Sequence, residues 1–396
     1  MISRPTADDE LLMAEALRLA RRIPRRPWPN PPVGAVVVRD GVIVGRGAHL
    51  GAGTPHAEVL ALEEAGRRAR GATLYCTLEP CNHAGRTPPC APVVVRSGVR
   101  RVVVAIGDPN PAVAGGGFEA IRGAAIDLTI GVLGDAALEL IWPFAATRAF
   151  ERPFVVLKTA SSLDGRFAPA GRDASTLGTP AYLTGGEARR DVHLQRRWAD
   201  VVLVGEGTVA ADHPRLNGRL AGDGECPSAD PTPGYVDTDL SFAGAWPADQ
   251  AVVFVGRQRA SAVARERAQR AGLTVVACDE REGHVAPESV VGAIGRGLGC
   301  VVLLEGGPTL AGAFLRAGLV DRWVQYIAPL VLGDGPTWPS WDQAQVAGDG
   351  SRFHLTRVER LGPDAKIVFD RVDFDDMLRG LTEARTERLE SSEGPA

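Results

Sequence analysis

The chain has little of what marks membrane, secreted or nucleic-acid-binding proteins. It contains six cysteines in 396 residues, which is too few for a disulfide scaffold at this length. A formal net charge of −4 leaves no basic surplus to attract nucleic acid or a membrane surface. No apolar run approaches the roughly 20 residues of a membrane-spanning helix, and the acidic, polar start does not resemble a signal peptide. We therefore expect a cytoplasmic protein whose partners include neither nucleic acid nor a membrane.

The rest of the composition is that of an ordinary globular protein, and the length suggests about two to three domains. β-branched runs alternate with helical patterns, so the fold class is α/β, with a largely parallel sheet and crossover helices in the second half. A predicted linker at 144–153 divides the chain into domains at 1–146 and 150–378, followed by a charged tail at 379–396 that we expect to be disordered. Residues 221–250, rich in glycine, proline, aspartate and serine, are predicted to form a loop.

One group of residues in the first half is typical of a catalytic metal site. His56, Cys81 and Cys90 supply one imidazole and two thiols, a donor set that suits zinc. Three protein ligands leave a fourth position open, where a metal makes a bound water acidic enough to react near neutral pH. Glu58 lies two residues after His56, close enough to exchange protons with that water without binding the metal itself. This pattern, His-x-Glu followed by Pro-Cys and a second Cys, is that of the zinc nucleobase deaminases.

The spacing of the two cysteines differs from the general deaminase pattern. In that pattern two residues separate them, whereas here Asn82 to Pro89 supply eight. This loop carries His83 and Arg86, both suited to an anionic group, and a long loop beside a catalytic metal usually binds something. We predict one helix beginning at His56 and another after the second cysteine, although the run 93–95 alone would favour a strand. The alternative interpretation is that the histidine is structural and the cysteines are small core residues.

Residues 77–90 and 29–34 closely resemble the deaminase domain of the bifunctional riboflavin-biosynthesis deaminase-reductase family, whose inter-cysteine loop is also long. The resemblance implies a cytidine-deaminase-like fold for the N-terminal domain, Zn²⁺ on the three ligands and Glu58 as the catalytic proton shuttle. It also implies substrate contacts from four side chains: Asn30, His49, His83 and Arg86. For Asn30 the alternative is local turn chemistry in its Pro-Asn-Pro sequence, although an amide offers the donor and acceptor that suit a planar base edge.

A second candidate site lies where a strand of the second half ends. The predicted strand at 300–304 runs into Glu305-Gly306-Gly307-Pro308, where a helix begins, so backbone N–H groups there are able to approach a phosphate. A tight turn with proline at the first helical position explains the same sequence equally well. The glycine spacing matches neither the dinucleotide fingerprint nor a P-loop. Lys158, at the end of an apolar strand, either extends its amine to solvent at a sheet edge or lines a site.

Four stretches together resemble the reductase half of the same family: residues 157–165, 204–208, 212–216 and 305–310. The resemblance implies a dihydrofolate-reductase-like fold and NADPH as the cofactor. The positions that match substrate contacts are Lys158, Arg196, Leu216, Arg219 and Glu305. The positions that match cofactor contacts are Ser161, Tyr182, Thr208, Asp212 and the turn Gly307, Pro308, Thr309, Leu310 and Ala311. The chain departs from the family at Tyr182, where tryptophan is common, at His213, where a second aspartate is common, and in a longer segment at 168–181.

The resemblance implies a bifunctional enzyme of riboflavin synthesis. Its implied substrate, 2,5-diamino-6-(ribosylamino)pyrimidinone 5′-phosphate, is deaminated in the first domain, and NADPH then reduces the ribosyl group to ribityl in the second. The ribosylamine must present an imine or open-chain form to accept hydride, and Lys158 or Asp212 could assist by proton transfer. The alternative is a deaminase whose drifted reductase domain serves only as a nucleotide-binding or oligomerisation module. We also expect a homo-oligomer.

The basic turn Gly256-Arg257-Gln258-Arg259 follows a predicted strand, where an adenosine 2′-phosphate could sit. Bidentate contacts between arginine and phosphate are strong and specific, so this turn is a candidate basis for a preference of NADPH over NADH. A solvated basic turn is the alternative interpretation.

Overall fold

The chain forms two compact units, which meet in the sequence between Glu151 and Arg152. The structure is a computed structural model, and it describes residues 6–23, 29–83, 85, 87–110, 113, 115–170, 182–219, 230–241, 250–337 and 353–372. Within those ranges, no helix is both long enough and apolar enough to cross a bilayer. The tail predicted at 379–396 lies outside the described residues.

The N-terminal unit is an α/β layer structure around one mixed sheet. Its elements are α1 (Ala7–Arg21), β1 (Gly34–Arg39), β2 (Val42–Ala48), α2 (Ala57–Ala65), a 3-10 turn (Gly66–Ala69), β3 (Thr73–Cys76), α3 (Cys90–Ser97), β4 (Arg101–Val104), α4 (Gly116–Gly123), β5 (Asp127–Ile130) and α5 (Gly134–Phe150). The sheet order is β2-β1-β3-β4-β5. β1 is antiparallel to β2 and β3, whereas β3, β4 and β5 are parallel. The helix predicted after the second cysteine is confirmed as α3.

Close backbone packing holds α2 against the sheet. Gly45 and Gly47 of β2 lie against the carbonyl oxygens of Ala61 and Ala57, and a Cβ at either glycine would overlap those oxygens. Both alanines are fully buried. Because only hydrogen atoms and methyl groups separate the two backbones, the first turn of α2 has one fixed position over β2.

The C-terminal unit is built on a nine-stranded sheet. Its elements are β6 (Phe154–Ser162), α6 (Gly186–Trp198), β7 (Val201–Gly205), α7 (Glu206–Asp212), β8 (Thr232–Val236), β9 (Val252–Gly256), α8 (Ala262–Arg270), β10 (Thr274–Cys278), β11 (Glu280–Arg281), β12 (His284–Val285), α9 (Pro287–Gly295), β13 (Val301–Leu304), α10 (Pro308–Arg316), β14 (Arg322–Ala328), β15 (Phe353–Leu361) and β16 (Asp364–Arg371). The sheet order is β10-β9-β8-β7-β13-β6-β14-β16-β15. Neighbours from β10 to β14 are parallel, and β16 is antiparallel to both β14 and β15. The predicted α/β class with a largely parallel sheet is confirmed.

The prediction of a loop throughout 221–250 is wrong at β8, which lies inside the sheet between β7 and β9. Its sequence, Thr-Pro-Gly-Tyr-Val, contains the two residues that usually argue against a strand. Gly234 is needed there, because a Cβ would lie 3.0 Å from the side chains of Val201 and Leu203. Tyr235 is fully buried and contributes to the core despite this composition.

The prediction of a linker at 144–153 is also wrong over most of that range. Residues up to Phe150 belong to α5, which contains Pro143 in its interior. Proline usually ends or kinks a helix, so the sequence suggested an end near this position. Phe144 is buried, and burial of this apolar face compensates for the hydrogen bond that Pro143 cannot make.

Candidate active sites

The three predicted metal ligands come together in the N-terminal unit. His56 is the N-cap of α2, Cys90 is the first residue of α3, and Cys81 lies between β3 and α3. Nδ1 of His56 lies 2.9 Å from Sγ of Cys90 and 3.5 Å from Sγ of Cys81, and the two sulfurs are 3.5 Å apart. One imidazole nitrogen and two sulfurs within 4.8 Å of one another form the donor set of a zinc site with an open fourth position.

The surroundings of Cys81 favour the thiolate that zinc requires. The backbone N–H of Cys90 donates to Sγ of Cys81 at 3.4 Å. Hydrogen bonds from Cys90 and His56 outweigh the opposing effect of burial and lower the pKa of Cys81 to about 4. The hydrogen bond between the two sulfurs raises the pKa of Cys90, because without a metal the two sulfurs share one proton. Since zinc binds the thiolate rather than the thiol, the residues present fit this metal.

Glu58 lies in the first turn of α2, outside the ligand trio, and is only 3% exposed. Burial raises the pKa of Glu58 to about 7. A carboxyl group with such a pKa is able to take up and release a proton near neutral pH, which is the property that a proton shuttle needs.

His49 and Asn30 form a hydrogen-bonded pair beside the ligands. Nδ1 of His49 lies 3.2 Å from the carbonyl oxygen of Pro55, and Nε2 lies 2.9 Å from Nδ2 of Asn30. Because a carbonyl oxygen only accepts, the assigned tautomer carries hydrogen on Nδ1 and accepts from the amide at Nε2. Burial lowers the pKa of His49 and so favours this neutral ring. The bond fixes which way the Asn30 amide points.

These side chains line one cleft of about 200 Å³ in the N-terminal unit. Of the predicted residues, the cleft brings together Asn30, His49, His56, Glu58, Cys81 and His83. Arg86 lies outside the described residues. Thr87 and Arg148 are among the lining residues that were not predicted as site residues. Arg148 is far in sequence from the deaminase motifs, and the packing of α5 brings it to the cleft.

Glu79, directly before the Pro-Cys pair, is a structural residue that the sequence did not single out. It is 2% exposed, and its carboxylate accepts backbone N–H bonds of 3.0–3.2 Å from Asp108, Gly115 and Gly117. A Cβ at Gly117 would overlap the carbonyl oxygen of Pro80. Glu79 therefore holds the start of α4 against the backbone that carries Cys81.

Three charged side chains meet in the C-terminal unit at the level of the sheet where β13 ends. Lys158, predicted at the end of its strand, lies instead in the middle of β6, which continues to Ser162. Arg196 of α6 places Nε and Nη2 at 2.7 Å and 2.9 Å from the two carboxylate oxygens of Glu305, which directly follows β13. Nζ of Lys158, on β6, lies 3.8 Å from the same carboxylate. Burial by itself raises the pKa of Glu305, but the charges of Arg196 and Lys158 outweigh it and hold the pKa at about 2. Glu305 is therefore an ionised bridge between two cations.

Of the two predicted catalytic residues of this unit, Lys158 is influenced by the charge of Asp212. Burial lowers the pKa of Lys158, against the opposing negative charges of Glu305 and Asp212. A lysine whose pKa is lowered gives up a proton more readily than an exposed one. Asp212 is the last residue of α7. His213, which stands where a second aspartate is common in the family, is the C-cap of that helix, with φ 42°.

The turn before α10 fits a phosphate group. The backbone N–H of Gly307 donates to Oγ1 of Thr208 at 3.2 Å, and Pro308 begins the helix. The first turn of α10 holds the other predicted cofactor positions, Thr309, Leu310 and Ala311. A Cβ at Gly306 would lie 2.8 Å from Leu310, so glycine keeps this strand-to-helix connection tight. N-terminal helix N–H groups are the donors that bind phosphate oxygens, as the phosphates of NADPH require.

Two other predicted cofactor positions, Ser161 and Tyr182, lie outside the turn before α10. The hydroxyl of Ser161 accepts a hydrogen bond of 2.8 Å from Nε2 of Gln325. Because side chains alternate along β6, Ser161 faces the opposite side of the sheet from Lys158. Tyr182 is 56% exposed, with the guanidinium of Arg189 at 4.7 Å from its ring centroid.

The predicted substrate positions Leu216 and Arg219 flank a segment that Arg196 also contacts. Nη1 of Arg196 donates to the carbonyl oxygen of Asn217 at 3.2 Å. Leu216 is 1% exposed with φ 55°, and Arg219 donates to the side chain of Asn217 at 2.6 Å. The segment 216–219 is thus held beside the ion cluster.

The basic turn after β9 is already occupied by an internal anion. The carboxylate of Glu280 accepts from the backbone N–H groups of Gln258 and Arg259 at 2.8 Å and 3.2 Å. A Cβ at Gly256 would overlap that carboxylate. Arg257 pairs with Asp279 at 3.3 Å, and Arg259 with Asp239 at 3.7 Å. These contacts favour the solvated-turn interpretation over a 2′-phosphate site.

The fold and the sites together define a two-unit enzyme, in which a zinc-ligating deaminase unit precedes a parallel-sheet reductase unit. Two family models match the chain: the cytidine and deoxycytidylate deaminase zinc-binding region at residues 6–106, and the RibD C-terminal domain at residues 153–367. The chain belongs to the RibD family of riboflavin biosynthesis proteins.

Full-length relatives support this membership. The riboflavin biosynthesis protein RibD of Aquifex aeolicus is 38% identical over 363 residues, which cover 92% of this chain and 98% of that one. That of Escherichia coli K12 is 38% identical over 368 residues, covering 90% and 97%. The solved structure of Acinetobacter baumannii RibD matches with a TM-score of 0.78 at 34% identity, covering 92% of this chain and 99% of that one.

A second solved structure is that of a diaminohydroxyphosphoribosylaminopyrimidine deaminase/5-amino-6-(5-phosphoribosylamino)uracil reductase from Thermotoga maritima. It matches with a TM-score of 0.77 at 30% identity, covering 92% of this chain and 99% of that one. The chain is therefore a deaminase and reductase of riboflavin biosynthesis that uses Zn²⁺ and NADPH. The match over both units favours this function over a deaminase with a drifted reductase domain.

Proposed function

We propose that the chain deaminates 2,5-diamino-6-(ribosylamino)pyrimidinone 5′-phosphate in its N-terminal unit and reduces the product's ribosyl group in its C-terminal unit. The observation that carries the proposal is the convergence of His56, Cys81 and Cys90 within 4.8 Å of one another, beside a cleft that His56, Cys81 and Glu58 line. The same cleft contains the Asn30–His49 pair, which suits a planar base. The Thermotoga maritima relative, described as acting on substrates of this kind, supports the choice of pyrimidine.

In the deaminase unit, His56, Cys81 and Cys90 would hold zinc, which when bound supplies an acidified water. Glu58 then takes a proton from the attacking water and delivers it to the departing amine, and its raised pKa suits both transfers. Asn30 orients the ring by hydrogen bonds to the base edge, and neutral His49 holds the Asn30 amide in the required direction. His83 and Arg86 complete the proposed substrate contacts.

In the reductase unit, NADPH when bound supplies hydride for C1 of the ribosyl group. The ionised Glu305, at the end of β13, holds Arg196 of α6 and Lys158 of β6 in place. Lys158 is the proposed proton donor to the ring oxygen as the C1–O bond opens, because burial makes its ammonium more acidic, and water then reprotonates its amine. The negative charge of Asp212 opposes the loss of that proton and so helps to keep Lys158 charged until the ring opens. Leu216, Arg219 and Arg196 would contact the substrate. Thr208, Ser161, Tyr182 and residues 307–311 would contact the cofactor.

The decisive experiment separates the two half-reactions with Glu58→Gln. Glutamine is nearly isosteric but cannot shuttle protons, so ammonia release should fall by about 10²–10⁴-fold or more. Zinc content and NADPH oxidation with the deaminated intermediate should stay at the wild-type level. Ammonia release within a few-fold of wild type would remove Glu58 from the mechanism. Wild-type protein that releases no ammonia from this pyrimidine would overturn the proposed substrate.

We also propose a homo-oligomer working in the cytoplasm. Exposed apolar side chains on the long edge strand β15, Leu355 and Val358, support self-association. A zinc site with two thiolates and a reaction driven by NADPH both suit a reducing compartment. Sedimentation at micromolar concentration and cell fractionation test the two statements, and a monomer or a secreted protein would contradict them.

A further inference from the structure

The inter-cysteine loop places the hydroxyl of Thr87 beside the His56 ring. It lies on the side of the ring away from the two cysteine sulfurs. Oγ1 of Thr87 lies 3.0 Å from Nε2 of His56. Nδ1 of the same ring faces Cys90 and Cys81 at 2.9 Å and 3.5 Å. Both nitrogens of the His56 ring therefore have a polar partner, and these contacts fix the orientation of the ring.

The chemistry of imidazole makes this contact informative. A neutral ring has one N–H and one lone pair, and a ring that binds metal through Nδ1 must carry its hydrogen on Nε2. That N–H points at Oγ1 of Thr87, which accepts it. A hydroxyl also donates, so the bond survives in the metal-free ring whichever nitrogen carries the hydrogen. A valine in this position would leave Nε2 without its partner in both states.

The length of the loop explains how the hydroxyl arrives there. Thr87 lies six residues after Cys81 and three before Cys90, within a segment that a two-residue spacer would delete. The loop is closed at its base by the bond from the Cys90 N–H to Sγ of Cys81 and by a bond from the Ala91 N–H to the Cys81 carbonyl oxygen at 3.0 Å. Within it, the Gly85 N–H donates to the carbonyl oxygen of Thr87 at 3.3 Å.

We propose that Thr87 is a positioning residue for the zinc centre, which fixes the His56 ring so that Nδ1 rather than Nε2 binds the metal. The eight-residue spacing between the cysteines thus builds a supporting hydrogen bond as well as a loop beside the substrate. The inference rests on the proposed assignment of His56 as a ligand, and it concerns metal affinity rather than substrate choice.

The test compares Thr87→Val and Thr87→Ser in the full-length protein by zinc competition with a chromogenic chelator. Loss of a bond that supports a metal-bound histidine typically costs about 10–100-fold in affinity. We expect that loss in Thr87→Val, together with a changed visible spectrum when Co²⁺ replaces zinc. Thr87→Ser, which keeps the hydroxyl, should remain within a few-fold of wild type. Thr54→Val is the matched control, because it removes a threonine bond to Gly51 two residues before His56 without touching the ring.

Unchanged zinc affinity and an unchanged Co²⁺ spectrum in Thr87→Val would overturn the proposal. Should that variant fail to fold, the tautomer of His56 in zinc-loaded wild-type protein decides by ¹⁵N NMR. A hydrogen on Nε2 supports the proposal, and a hydrogen on Nδ1 overturns it. Neither readout depends on turnover, so wild-type protein that binds zinc but does not deaminate the pyrimidine would count against the proposed substrate and not against Thr87.

Discussion

Arg196 donates two hydrogen bonds, of 2.7 Å and 2.9 Å, to the two carboxylate oxygens of Glu305. The arginine comes from a helix and the glutamate from the end of a parallel strand, 109 residues apart in sequence. Both side chains are largely buried, at 11% and 6% exposed. A bidentate pair in this position gives the reductase site a fixed charge arrangement before any ligand arrives.

Glu305→Gln should destabilise the C-terminal unit and impair reduction. The variant leaves Arg196 and Lys158 without their shared counter-charge, a change that typically costs about 3–5 kcal/mol for a buried pair. Urea unfolding measures the stability, and NADPH oxidation measures the activity. Asp370→Asn is the control, since it breaks a similar bidentate pair with Arg322 away from the site and should lower stability without raising KM. Equal KM effects in both variants would argue against a substrate role for Glu305.

The same pair should contribute to loss of stability in acid. The pKa of Glu305 is held at about 2, below its usual value, so its contribution is complete above about pH 4.5 and is lost as pH falls toward 2. The unfolding free energy of wild type should therefore fall more steeply over this range than that of Glu305→Gln. Parallel curves for the two proteins would show that Glu305 is not held ionised.

Cys81→Ser should lose most of its zinc. Serine is a poor zinc ligand, and removing one of three protein ligands abolishes the donor set. Metal analysis of the purified protein should show near-stoichiometric zinc in wild type and in Cys76→Ser, whose buried thiol lies in the same unit but outside the trio. Full zinc occupancy in Cys81→Ser would disprove the ligand assignment.

Arg148→Ala should weaken binding of the phosphorylated pyrimidine by a few-fold to about tenfold, because an exposed charge contact contributes about 1 kcal/mol. Arg148 lines the deaminase cleft and lies over the Phe144 ring at 5.0 Å. KM for deamination of the 5′-phosphate and of the dephosphorylated nucleoside distinguishes charge from shape. Only the first should change, and Arg96→Ala on α3 should change neither. An equal rise for both substrates would indicate a structural role.

Arg257→Ala and Arg259→Ala should keep the preference for NADPH over NADH within about twofold. Glu280 occupies the backbone donors of this turn, and each arginine has an acidic partner. A phosphate placed there would meet the charge of Glu280 at close range. Steady-state kinetics with both cofactors checks this, and a tenfold loss of preference in either variant would restore the turn as a 2′-phosphate site.

The sequence by itself was sufficient to predict the features that depend on neighbouring residues: the metal-ligand motif and the secondary-structure pattern. His-x-Glu, Pro-Cys and the second cysteine carry their chemistry in residue type and short spacing, so the ligand set could be predicted without a fold. The alternation of β-branched runs with helical patterns likewise determined the α/β class, because hydrophobic periodicity is a local property of each segment. β8 was missed because buried neighbours, rather than its own Pro-Gly sequence, make it a strand.

Only the tertiary structure decided which distant side chains meet. Arg196 approaches Glu305 because helix α6 packs against β13, and Arg148 reaches the cleft because α5 continues past Pro143. The hydroxyl of Thr87 and the His56 ring face each other across the inter-cysteine loop, which no spacing rule specifies. Such contacts depend on backbone positions set by the packing of whole elements, and a linear pattern of residue types does not contain those positions.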